Sequence, residues 1–253
     1  MSKKLRILVT NDDGYYSDGI NALFKELSKT AVVHMVAPDR EQSASSHSLT
    51  LNRPLRMHKL DAFHYTTDGT PTDCVMLGLH LVYKKAKPDF IISGINHGAN
   101  MGDDITYSGT VAAAIEGAIL RIPSLAVSMA NYRPGTPMLR AARFVARLVK
   151  AYDKFDLDPT CFLNVNLPRD NGKPYKGYRF TSQGMRQYKD VVIHNTDPRG
   201  LDYYWIGGRP KWKTTRGTDF AVVNQGVVSI TPMKLEFTDA EVLARFKTQK
   251  IKF

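Results

Sequence analysis

Four oxygen-bearing side chains set the chemical question in this sequence. Asp12 and Asp13 stand together in Asn11-Asp12-Asp13-Gly14, directly after the apolar run Leu5 to Thr10; Ser43 lies beyond a second such run and Asn96 beyond a third. Carboxylate, hydroxyl and amide oxygens suit a hard divalent ion such as Mg²⁺ or Mn²⁺ with water completing the shell, whereas zinc prefers His or Cys. Two adjacent aspartates aimed into one concavity repel each other, and a bound cation holds both ionised. Spacing alone leaves a second reading open, because Asn-Asp-Asp-Gly is also an ordinary turn and Asp-Asp recurs at Asp103-Asp104. Further on, Ser108-Gly109-Thr110 opens an Ala-rich stretch, Val111 to Leu120, that reads as a helix with free amides at its start.

These residues can meet only if the strand ends that carry them lie side by side. The N-terminal two thirds alternates strand and helix patterns at short spacing, which predicts an α/β, Rossmann-like architecture: a mostly parallel sheet with helices on both faces. Leu5 to Thr10 reads as a buried strand, and Ile20, Leu23, Phe24 and Leu27 follow at helical spacing with Ser17 or Asp18 as cap. Val32 to Ala37 is the second strand, stopped by Pro38, and the Ser-rich stretch Glu41 to Ser48 is a loop. Thr72 or Asp73 is expected to cap a helix over Cys74 to Leu81. Phe90 to Ile92 is a strand core followed by the Gly-punctuated loop Ser93 to Asp104. Ser124 to Met129 and Phe162 to Asn166 are further strands, with a helix from about Met138 to Tyr152 between them. In such a sheet ligands sit at the carboxyl ends of the strands, where the oxygen-bearing loops fall.

Beyond Asn171 the pattern changes. Phe220-Ala221-Val222-Val223 and Val227-Val228-Ser229-Ile230, around Asn224-Gln225-Gly226, read as an antiparallel hairpin, and Thr238-Asp239-Ala240-Glu241 matches a capping box that starts a last helix through about Phe246. We therefore expect a catalytic core over residues 1–170 and a hairpin-and-helix appendage over residues 171–253, with one continuous domain as the alternative.

With 43% hydrophobic and 23% charged residues in 253, the chain can bury a full core, which excludes overall disorder. No apolar run approaches the roughly 20 residues that cross a bilayer. The start, Met1-Ser2-Lys3-Lys4, passes into Leu5 to Val9 without a signal-peptide core, so the expected location is the cytoplasm. Cys74 and Cys161 lie in separate apolar segments and read as structural thiols. The net charge of +11 is concentrated: Asn171 to Gly217 holds ten basic residues against Asp190, Asp197 and Asp202. Interleaved with Tyr178, Tyr188, Tyr203, Tyr204, Trp205 and Trp212, the segment could bind single-stranded nucleic acid; an intersubunit arm is the reading we prefer. A dinucleotide-binding module fits poorly, because the first strand-helix turn lacks G-x-G-x-x-G and puts carboxylates where a pyrophosphate would be repelled.

Several segments together resemble the SurE family of survival-protein nucleotidases. Val9-Thr10-Asn11-Asp12-Asp13-Gly14 is similar to its NDDG signature, Val36-Ala37-Pro38-Asp39-Arg40 with Ser43 and Ser48-Leu49-Thr50 to its VAPDR…S…SLT stretch, and Gly69 to Val75 to its GTPADCV run. Ser93-Gly94-Ile95-Asn96 through Asn100, and Tyr107 to Val111, resemble its SGIN and YSGTV segments; Leu163 to Asn166 and Gly217 to Pro232 extend the similarity almost to the end, in family order.

That resemblance implies a metal-dependent phosphomonoesterase acting on nucleoside monophosphates, a 5′-nucleotidase, with 3′-mononucleotides and short polyphosphate left open as further substrates. It implies one divalent cation per subunit on Asp12, Asp13, Ser43 and Asn96, and phosphate contacts from Asn100, Ser108, Gly109 and Thr110. Helix N-terminal amides give the phosphate assignment an independent physical reason, with simple capping by Ser108 and Thr110 as the other reading. The expected chemistry is attack on phosphorus by a water whose pKa the cation lowers, oriented or deprotonated by Asp13 in preference to Asp12. His47 and His97 are available as acids for the leaving group, and His47 as a substrate contact. Homodimers or homotetramers with exchanged C-terminal elements are implied as well; membrane and nucleic-acid partners are not.

Overall fold

The computed structural model describes residues 4–187, 192–206, 211–213 and 215–249. Tyr188, Lys189, Asp190 and Arg209 of the basic segment lie outside the described residues. In chain order the elements are β1 (Arg6–Thr10), α1 (Asp18–Leu27), β2 (Val32–Pro38), β3 (Met57–Lys59), β4 (His64–Thr67), α2 (Pro71–Leu77), β5 (Phe90–Asn96), α3 (Gly109–Ile119), β6 (Ser124–Met129), α4 (Leu139–Ala151) and β7 (Cys161–Leu167). The remainder comprises β8 (Tyr178–Phe180), β9 (Met185–Gln187), β10 (Val192–Thr196), β11 (Asp202–Ile206), β12 (Lys211–Lys213), α5 (Asp219–Val223), β13 (Val228–Lys234) and α6 (Ala240–Thr248). Nine strands form one sheet in the order β3-β4-β2-β1-β5-β6-β7-β13-β8, and β4, β2, β1, β5, β6 and β7 run parallel.

Alternation along β1 explains the two layers of helices. Ile7 and Val9 face one core with Ile20, Leu23 and Leu27 of α1 and Ala141, Val145 and Leu148 of α4. Leu8, between them, faces the opposite core with Cys74 and Val75 of α2 and Ala113 of α3. A strand buried on both faces must be apolar throughout, as Ile7-Leu8-Val9 is. Gly19 sets how closely α1 approaches: a Cβ there would sit 1.9 Å from the Ile95 carbonyl oxygen, so any side chain would push the helix off β5.

Several local expectations need correction. Phe220 to Val223 is the helix α5, not a hairpin strand. The Asp219 carboxylate accepts the amides of Gly102 and Gly184 at 2.9 and 3.0 Å, as well as that of Phe220, and these distant partners fix a helical start on a run whose apolar pattern suits either structure. Val228 to Ile230 is a strand as expected, but it lies in the main sheet, antiparallel to β7 and parallel to β8. An antiparallel hairpin does exist in the C-terminal part, formed by β10 and β11. The α2 cap is Thr70, whose hydroxyl accepts the Asp73 amide while the Asp73 carboxylate accepts the Thr70 amide, with Pro71 pre-set for the first turn. Asp239, rather than Thr238, caps α6 through the Val242 amide. The third strand core continues through Asn96, which puts that residue at the strand end itself.

Candidate active site

The carboxyl ends of β1 and β5 are neighbours, with Thr10 opposite Ser93, so the Asp12-Asp13 loop and the Asn96-His97 loop face one another. Asn11 builds the first loop by donating through Nδ2 to the Gly14 carbonyl at 2.9 Å and to Ser17 Oγ at 2.8 Å. The Gln42 amide donates to the Asp12 carbonyl at 2.7 Å, which draws the Ser-rich loop across the same strand end.

Asp12 is buried, and its Oδ1 accepts the Thr110 hydroxyl from the first turn of α3. Burial raises its pKa above the usual carboxylate range against the pull of the Thr110 hydroxyl and amide, and the charge of Glu41 adds to the rise. Asp13 accepts the His97 amide at 3.0 Å and lies 3.5 Å from His97 Nδ1. Its carboxyl is pushed up to about 7, first by burial, then by the charge of Asp12, with Glu41 contributing. Two aspartates and a glutamate thus share one field, and the described polar partners of the aspartates carry no permanent positive charge.

Ser43 is exposed and donates through Oγ to Glu41 Oε1 at 2.5 Å, so it belongs to the same carboxylate group. Asn96 uses Nδ2 on the Gly98 carbonyl at 3.1 Å, which leaves the amide oxygen as the ligand atom it can offer. Gly109 is tightly enclosed: an added Cβ would sit 2.6 Å from Ser45 Oγ and 2.9 Å from Asp12 Cβ. Ser45 Oγ is buried without a hydrogen-bond partner among the described residues, as is Asn11 Oδ1. These oxygens beside paired carboxylates fit a hard cation and its ligands better than they fit an empty fold. Among the described residues no group of three or more His, Cys, Asp or Glu side chains is arranged to hold a metal, so hydroxyl and amide oxygens have to complete any such shell.

The other expected residues are placed as follows. Ser108 Oγ accepts the Val111 amide at 3.1 Å and caps α3. Asn100 is fixed on every side: its amide donates to Asn166 Oδ1 at 3.0 Å, its Nδ2 to Ser128 Oγ at 2.8 Å, and its carbonyl accepts from Asn164 and Asn166. His47 Nε2 lies 2.8 Å from Oε2 of Glu116, a buried carboxyl on α3, and so ties the Ser-rich loop to that helix. Asp103 accepts the Arg186 amide and Asp104 pairs with the Arg186 guanidinium, so this second Asp-Asp pair shapes a loop.

Residues 7–190 match the family model described as Survival protein SurE. The chain belongs to the SurE family. A protein from Geobacter metallireducens carrying the name 5′-nucleotidase SurE is 46% identical over 245 residues, covering 96% of this chain and 97% of that one. Another with that name, from Geobacter sulfurreducens, is 47% identical over 236 residues, covering 93% and 90%. The crystal structure of the Sure protein from Aquifex aeolicus superposes with a TM-score of 0.84 at 42% identity, covering 96% of this chain and 98% of that one. The SurE motifs therefore sit on a SurE fold, from the NDDG turn at the end of β1 to the SGT segment at the start of α3.

Three residues of this SurE site escaped the sequence reading. Glu41 charges both aspartates from the Ser-rich loop; its own charge, two residues before Ser43, was the available signal. Tyr132 stacks flat on His97, with ring centroids 4.0 Å apart and planes 3° from parallel, and burial lowers the His97 pKa. Glu116 is the third. Nothing local marks Tyr132 or Glu116, because each acts through a contact that only the folded chain creates.

Proposed function

We propose that this protein is a metal-dependent phosphomonoesterase that releases phosphate from nucleoside monophosphates. The observation that carries the reading is the pair of buried Asp12 and half-buried Asp13, joined by Glu41, at the mouth of a helix capped by Ser108 and begun by Gly109 and Thr110. The relatives' shared name, 5′-nucleotidase SurE, supports the same substrate class. Asp12, Asp13, Ser43 and Asn96 would hold one Mg²⁺ or Mn²⁺ ion, which supplies charge neutralisation at phosphorus and a lowered pKa for the attacking water. Thr110 fixes Asp12, while Asp13 would orient the attacking water and accept its proton. Asn100 and the start of α3 position the phosphate oxygens, and His47 borders the substrate from the Ser-rich loop. In this reading residues 1–170 supply the catalytic core and residues 171–253 the elements of a cytoplasmic homodimer or homotetramer.

The test is phosphate release from 5′- and 3′-mononucleotides and short polyphosphate, with chelator and with Mg²⁺ or Mn²⁺ added back. We expect 5′-mononucleotide hydrolysis that chelation abolishes and the cation restores. Full turnover in chelator would refute the metal-dependent scheme.

A further inference from the structure

A pocket of about 500 Å³ opens on the same edge of the sheet as the carboxylates. Its walls include Asn131, Tyr132 and Arg133, which follow the carboxyl end of β6, Arg169 and Asn171, which follow that of β7, and Asn224 beyond α5. Since β6 and β7 are the first and second neighbours of β5 on one side, these loops lie about 5–10 Å across the sheet from the Asn96-His97 loop. Tyr132 joins the two places, because this residue lines the pocket and its ring is stacked on His97, whose amide donates to Asp13. The frame is firm: Ala130 donates to the Leu167 carbonyl at 2.8 Å, and Asn100 binds both Ser128 of β6 and Asn166 of β7.

The chemistry of the walls is cationic. Arg133 and Arg169 pair with no carboxylate among the described residues, while Asp170, next in sequence, is engaged by Arg140 at 3.4 Å. Two guanidinium forks with amide side chains around them match a phosphate, which can accept bidentate hydrogen bonds from each fork. A neutral nucleobase would leave both charges unmatched.

Resting on the nucleotidase reading above, we propose that this pocket is a second phosphate subsite, so that nucleoside 3′,5′-bisphosphates are preferred substrates. One phosphate lies at Asp12 and Asp13, and the other between Arg133 and Arg169. Water adds to the first phosphorus, its ester P–O bond breaks, the sugar oxygen takes a proton, and a mononucleotide and inorganic phosphate leave.

The test compares kcat/KM for adenosine 3′,5′-bisphosphate and adenosine 5′-monophosphate in the full chain with Mn²⁺, before and after the double substitution Arg133→Gln/Arg169→Gln. We expect the wild type to favour the bisphosphate at least tenfold, and the double variant to lose at least tenfold of that ratio, mainly through KM. Arg133 is exposed and Arg169 half-buried, and an unchanged melting temperature would show that the variant folds. A wild-type ratio near one, or a ratio that survives the double substitution, would overturn the subsite. If the wild type hydrolyses neither compound, the nucleotidase reading fails by itself; calorimetric titration of the bisphosphate then decides the subsite, with at least tenfold weaker binding by the variant supporting it and equal binding refuting it.

Discussion

Asp13 holds its proton more tightly in the folded chain than an ordinary aspartate does, at about 7 against 3.8, mainly because it is buried and next because Asp12 is beside it. The sign of the consequence follows from linkage. Below about pH 4 both folded and unfolded chains carry the proton, and the group costs nothing; as the pH rises to 7 the unfolded chain releases it more readily, and stability is lost. Above pH 7 the loss is complete, on the order of 2–4 kcal/mol after allowance for residual solvent contact. Asp13→Asn should therefore melt at a higher temperature than the wild type at pH 8 in chelator, and the difference should vanish near pH 4. The same substitution should reduce turnover with Mn²⁺ by about 10²-fold or more. Equal melting temperatures at pH 8 would show that Asp13 is not strained, and unchanged turnover would remove it from the mechanism. The oxygen-bearing residues proposed for this site, Asp12, Asp13, Ser43 and Asn96, stand out in the sequence because each lies at or beyond the end of an apolar run. Their charge state was not, because it depends on burial and on Glu41.

The start of α3 shows how an element makes the site. Gly109 has no room for a Cβ, which would press within 2.6 Å of Ser45 Oγ and 2.9 Å of Asp12 Cβ. Alanine is the better helix former by about 1 kcal/mol in a helix interior, so propensity alone would favour Gly109→Ala. We predict instead that Gly109→Ala displaces Asp12 and weakens Mn²⁺ binding at least tenfold, measured by calorimetry, with the helical circular dichroism retained. Binding equal to wild type would mean that the close approach is incidental. Most helices and buried parallel strands of the core could be read from the chain because their apolar patterns have one interpretation: Ser124–Met129 falls where expected and α4 is within one residue at each end, whereas α2 begins at Pro71 instead of Cys74 because Thr70 caps it. Phe220 to Val223 could not, since four apolar residues satisfy both periods and the decision rests with Asp219, whose partner Gly102 is 117 residues away. β3 and β4 also went unread: Met57 to Lys59 is largely exposed, and its place in the sheet comes from pairing with β4 rather than from an apolar face.

Taken as a single chain, the molecule leaves its C-terminal part unfinished. No residue of α6 is buried, although Leu243 and Phe246 are apolar, and Phe237 just before it is 91% exposed. A nine-residue helix has too few turns to persist in water by itself, so its apolar side needs a surface to cover. The β10-β11 hairpin adds to the demand, exposing Val192, Ile193, Trp205 and Ile206 on an isolated two-stranded ribbon, a structure that is marginal without a partner. Self-association would satisfy both elements at once, because identical chains could offer each other the apolar cover that a single chain lacks. Sedimentation at micromolar concentration should therefore show a dimer or larger, and Leu243→Asp/Phe246→Asp should shift it toward the 28.4 kDa single chain. Turnover should survive that change, because Asp12, Asp13, Asn96 and the start of α3 all lie within one chain, away from α6. A wild type that sediments only as the single chain would show that these exposed residues serve some other purpose.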